Sequence, residues 1–142
     1  MTGHIRTLLA VAGAVLFTVS LSAQSTPPPA STARLTPALQ GEAQISMTEP
    51  AVKRTANQLV TTFKVKNLSK QPIAGFKIEE FWYDDKGTVV GGDTFRNPKP
   101  IQPDEIITIT LTDPLTGKER RNNYKFSHAR GTVKPTKVAK LP

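Results

Sequence analysis

From Gln40 to the C-terminus no ten-residue stretch of the chain repeats its apolar residues at the helical period, while short alternating runs are punctuated by turn formers. That pattern confines the fold to strands packed on strands. Asn57 to Val65 sets Leu59, Thr61, Phe63 and Val65 against Val60, Thr62 and Lys64, a β-branched and aromatic strand with one buried face. Gln44 to Thr48 is a weaker strand. Phe76 to Tyr83 is an aromatic one that ends at Asp84-Asp85-Lys86-Gly87, a turn leading into Thr88 to Val90 as a hairpin. Glu105 to Thr112 puts Ile107, Ile109 and Leu111 on one face, and Asn123 to Ala129 does the same with Tyr124, Phe126 and His128. A last extended segment, Gly131 to Lys140, contains Pro135 and suits an edge strand. The expectation is an all-β domain, a single Greek-key β-sandwich of about seven strands.

The strand over residues 76–83 leaves two registers open. If Phe76, Ile78 and Trp82 face inward, so does Glu80; if Phe81 and Tyr83 do, Trp82 does not. A β-bulge near Glu79-Glu80 would reconcile the halves, or one aromatic lies on the outer face. Trp82 in the core is preferred. Gly91-Gly92 reads as a bend or bulge, because no helix follows that could complete a phosphate cradle.

Asn67-Leu68-Ser69, Pro72-Ile73-Ala74-Gly75, the strand closing in Phe81-Trp82-Tyr83-Asp84, then Lys86 to Gly91 and the turn Pro103-Asp104-Glu105 form a recognisable series. Over roughly residues 57–112 it resembles the bacterial FxLYD-like group of immunoglobulin-like sandwiches. Glu80 departs from that pattern, which is apolar there. The resemblance implies an Ig-like sandwich acting as an accessory module of an exported protein, and implies no catalytic activity.

Export has its own signal. A basic start with His4 and Arg6 runs into apolar Leu8 to Val19 and exits through Ser20-Leu21-Ser22-Ala23, the layout of a secretory signal peptide over residues 1–23 cleaved near Ala23. The 16 uncharged residues from Leu8 to Ala23 also leave an uncleaved membrane anchor open, being near the short limit for a span. Either way the folded part is periplasmic or secreted. The chain has no cysteine, so a lipidated N-terminal Cys, disulfides and thiolate metal sites are excluded. Residues 24–39, rich in Pro, Ser, Thr and Ala, read as a disordered linker, which leaves residues 40–142 as the one domain.

Charge is segregated. Residues 24–115 carry ten basic and ten acidic side chains, whereas residues 116–142 set Lys118, Arg120, Arg121, Lys125, Arg130, Lys134, Lys137 and Lys140 against Glu119 alone. These eight are the candidate anion-binding patch, aimed at an anionic envelope polymer or lipid. Lysines on edge strands also serve simply to block aggregation. Enzymatic residues are scarce: past the signal segment His128 is the only imidazole, no nucleophile–base pair stands out, and no catalytic, cofactor or metal site is expected. Asp84, Asp85 and Asp93 offer oxygen ligands for a weak Ca²⁺ site, although a hairpin turn accounts for the first two. Nucleic acid is disfavoured, since Tyr124 and Phe126 sit on the expected core face rather than where bases could stack. The sequence thus points to a non-catalytic exported binding module whose partner is a protein or an anionic envelope component, with membrane contact only through an uncleaved anchor or peripheral electrostatics. Its oligomeric state is left open.

Overall fold

The computed structural model describes residues 36–142. The signal-peptide segment 1–23 and the greater part of the 24–39 linker lie outside the described residues. Among the described residues there are nine strands and no helix. One layer is built from β1 (Ala43–Thr48), β2 (Ala51–Arg54), β3 (Gln58–Asn67) and β7 (Ile106–Pro114); the other from β4 (Lys77–Tyr83), β5 (Val89–Gly91), β6 (Thr94–Arg96) and β8 (Arg121–His128). The last strand, β9 (Gly131–Val138), begins beside β8 and ends beside β1.

The connections make the Greek key. β3 pairs antiparallel with β7 over nine residues, and β4 with β8 over seven, so the chain crosses between layers after β3, back after β6 and again after β7. β1 lies antiparallel to β3 but parallel to β9, from Ala43↔Val133 to Thr48↔Val138. The resulting architecture is an all-β sandwich-like domain, mixed and not closed into a barrel.

All seven expected strands are present, and β2 and β6 are additional. β2 arises because Pro50, lacking an N–H, interrupts what would be one long strand along β3. β1 therefore pairs with residues 65–67 of β3 and β2 with residues 59–62. All four β2 residues are exposed, so there is no alternation to read in the sequence. β6 is three residues long and follows Gly91-Gly92, where the pairing of β4 slips between Trp82 and Tyr83, the bulge that the glycine pair suggests.

The core lies between the layers. Ala43, Ile45, Met47, Phe63, Val65, Ile109 and Leu111 meet Phe76 and Ile78 from the opposite side, and Ile73 and Ile101 close one end through a bridge between two loops. Each large side chain so buried contributes roughly 1.5–3 kcal/mol. Leu39, the last residue of the expected linker, also packs on this core and donates its N–H to the Pro72 carbonyl.

The turn residues quoted for the FxLYD-like resemblance serve as corners. Asn67 is fully buried; its Oδ1 accepts the Ser69 N–H (2.8 Å) and its Nδ2 donates to the Gln71 and Ile101 carbonyls (both 3.0 Å). Asp104 adopts φ 63°, a left-handed conformation that Asp tolerates better than most residues, and its N–H reaches the Asn67 carbonyl. Asp84 forms the hairpin turn, its Oδ1 accepting from the N–H groups of Lys86 (2.9 Å) and Thr88 (2.8 Å).

Candidate binding cleft and basic outer face

β4 alternates without a bulge at Glu79-Glu80. Ile78, Glu80 and Trp82 point inward, while Lys77, Glu79, Phe81 and Tyr83 stand on the outer face. Trp82 is in the core as preferred, and Glu80 goes in with it. The buried Glu80 carboxylate accepts hydrogen bonds from Thr61 Oγ1 (2.9 Å) and Asn122 Nδ2 (2.8 Å). Asn122 Nδ2 also donates to the Tyr124 hydroxyl oxygen (2.6 Å). Burial first, and then the adjacent Glu80 carboxylate, raise the Tyr124 phenol above the usual tyrosine range, so it stays neutral. Tyr124 stacks edge-on against Phe63 with centroids 5.6 Å apart.

Asn122 and Tyr124 of this polar cluster also line a cleft. β9 pairs with β8 only at Thr132 and Gly131, then leaves it to run beside β1. The two strands diverge and open a wedge of about 730 Å³. Five consecutive β8 residues, Asn122 to Phe126, line one side, so its backbone edge is itself a wall; Val133, Pro135 and Lys137 of β9 face it, with Met47 and the exposed Val52 beyond. At the rim, Lys137 Nζ meets Glu49 at 3.2 Å.

The opposite seam of the sandwich is fastened. Asp93, just before β6, accepts the Thr112 N–H of β7 on Oδ2 (2.8 Å) and the Thr94 N–H on Oδ1 (2.7 Å), while its carbonyl accepts the Glu80 N–H (2.8 Å). One carboxylate thus substitutes for ladder bonds between the layers. Among the described residues Asp93 does not gather with Asp84 and Asp85 into a group that could hold a metal ion.

All eight C-terminal basic residues are exposed, and the fold disperses them. Lys125 and Lys137 border the cleft. Lys118 and Arg120 share a hollow with Asp84 and Asp85. Arg121 lies over the Tyr83 ring at 5.6 Å. Arg130 occupies the β8–β9 turn at the far end, Lys134 is on β9, and Lys140 follows it. The strand pairings instead assemble a different basic surface. Register places Arg96 beside Lys77, and Glu79 beside Lys125, so the outer face of β6, β4 and β8 carries Arg96, Lys77, Lys125 and Arg121 around Glu79, with Phe81 and Tyr83 among them. Lys77 bridges Glu79 at 2.9 Å, and its hydrogen bond foremost, with the charges of Lys77, Lys125 and Arg96, holds the Glu79 carboxyl below its ordinary range. Sequence reasoning missed Lys77 and Arg96. Taking Trp82 as inward already turns Lys77, Phe81 and Tyr83 outward; β6, three residues long, gave no comparable cue for Arg96.

His128 is buried, with Nε2 2.7 Å from the Gly41 carbonyl oxygen and Nδ1 accepting from the Arg130 N–H. It anchors the residues that lead into β1. No protein-family model and no curated protein matches the chain. Among solved structures it is similar to IrmA from Escherichia coli, at 10% identity and a TM-score of 0.47, over 70% of this chain and 95% of that one.

Proposed function

We propose that this chain is an exported, non-catalytic Ig-like accessory module, akin to the FxLYD-like group, that binds a partner in the cell envelope through the cleft between β8 and β9. The observation that carries the reading is the divergence of those two strands, which leaves an apolar floor and a polar, basic rim open on one side of a sandwich fastened on the other. Concave sites with a few convergent polar groups are where ligands are generally bound. Its test is capture from a detergent-solubilised envelope by the chain and by Pro135→Trp, which fills the cleft. A discrete partner retained by the former through about 0.5 M salt and lost by the latter is expected; equal retention by both overturns the cleft as the working surface.

A second reading is favoured by the outer face, where Lys77, Arg96, Lys125 and Arg121 surround a single acid. An anionic envelope polymer or lipid would be held there electrostatically. Such a ligand elutes early in the same salt series and is indifferent to Pro135→Trp.

A further inference from the structure

We propose that β8 accepts an added strand: an extended segment of a partner protein, alternating apolar and acidic residues, laid along the unpaired edge of β8 inside the cleft. The proposal rests on the cleft reading and names what fills it. Along residues 121–127 one edge of β8 is bonded to β4, while on the other only Ser127 and His128 meet β9. The Tyr124 N–H marks the free edge, since it is bonded by Asn123 Oδ1 (2.8 Å) of its own strand rather than by a neighbour. Backbone groups alternate along a strand, so Asn122 and Phe126 present theirs the same way. Folded proteins ordinarily cover or blunt such edges, as Asp93 does at the other seam. Here Asn122 to Phe126, about 17 Å of strand, stands open toward the cleft of about 730 Å³.

The two faces of β8 set the chemistry of the occupant. Inward side chains of an added strand would lie over Phe126, Val133 and Met47 and are therefore apolar. Outward ones become cross-strand neighbours of Arg121 and Lys125 and are therefore acidic. The chain's own residues 24–35 do not fit, since they contain Pro27-Pro28-Pro29, which donate no ladder bonds, and Arg34 but no acid. A second copy fits no better: pairing β8 with β8 about a two-fold axis sets Arg121 and Lys125 of each chain against those of the other, a like-charge contact. Recognition is thus strand addition, with main-chain bonds supplying affinity and alternate side chains specificity.

The experiment is an NMR titration of the ¹⁵N- and methyl-labelled chain with acetylated, amidated Val-Glu-Val-Glu-Val-Glu and with its Val-Lys counterpart. The acidic peptide should slow amide exchange at Asn122, Tyr124 and Phe126, and the basic one should not. Arg121→Glu with Lys125→Glu should invert the preference by about tenfold each way, its folding checked by unchanged exchange in the β4–β8 ladder. Shifts at the Met47 and Val133 methyls without amide protection would overturn strand addition while leaving the cleft a binding site. No change at either place overturns the inference, and if Pro135→Trp also captures the partner normally, the cleft reading falls with it.

Discussion

Two buried carboxylates, Asp113 and Glu119, lie on either side of the β7 terminus and respond to burial in opposite ways. Burial works against the charge of Glu119, yet its carboxylate accepts from Thr116 Oγ1 and N–H (both 2.6 Å) and the Gly117 N–H (3.0 Å), with Arg54 at 3.8 Å, and the balance holds it down at about 2. Asp113 has no such shell: Oδ2 is buried without a partner, and burial, followed by the charges of Glu119 and Asp93, pushes its carboxyl up despite the Gly92 N–H. The signs follow by linkage. Glu119, depressed when folded, contributes stability that is full above its ordinary value near 4.5 and is lost as pH falls toward 2. Asp113, raised when folded, contributes stability that is full below its ordinary value near 3.8 and is lost as pH rises from there through the folded one. Urea denaturation should accordingly find Glu119→Gln less stable than wild type by about 2 kcal/mol at pH 7, the gap closing toward pH 2. Asp113→Asn should be as stable as wild type or more so at pH 7, with its advantage gone at pH 3.

At the scale of elements, the legible strands are those with one buried face. Residues 58–67 and 106–114 alternate strictly because one face meets the core, and that period survives in the sequence whatever the neighbours are. β2 and β6 were illegible for the complementary reason: their residues are exposed or half-buried, and β2 exists only because Pro50 breaks its predecessor. Glu80 confused the register because an inward carboxylate violates the pattern unless Thr61 and Asn122, 19 and 42 residues away, are known to receive it. The basic surface was legible as composition but not as a place, since partners across strands, such as Arg96 beside Lys77, are fixed by pairing. The β8–β9 hairpin root gives a direct check on this packing. A Cβ at Gly131 would overlap the Gly41 carbonyl oxygen, backbone that cannot swing aside, so Gly131→Ala should lower stability by about 1–3 kcal/mol. Thermal unfolding would record this as a fall in Tm, with faster exchange at the Gly41 N–H, which donates to Arg130.

For the described domain as a whole, the asymmetry between its two seams organises what it can do. The β7 side is tied by Asp93, whereas the β8–β9 side opens after two residue pairs. Local stability should follow that division. In native-state hydrogen exchange of the free protein, the Thr112 amide, held by Asp93, should outlast the Tyr124 amide, held only by its neighbour's side chain, although both lie on the sides of strands away from their main partners. Equal protection of the two would contradict a sandwich fastened on one side.

The parallel pairing of the first strand with the last has a mechanical consequence. Because Ala43 lies beside Val133 and Thr48 beside Val138, the chain enters at one pole of the pair and leaves at the other. A pull between the N-terminal segment and residues beyond β9 therefore runs along both strands in opposite senses. It loads all the bonds of the β1–β9 ladder at once in shear, instead of peeling them open one at a time from an end. A domain tethered at its start and gripped at its finish would bear tension as a clasp, yielding abruptly at a high force.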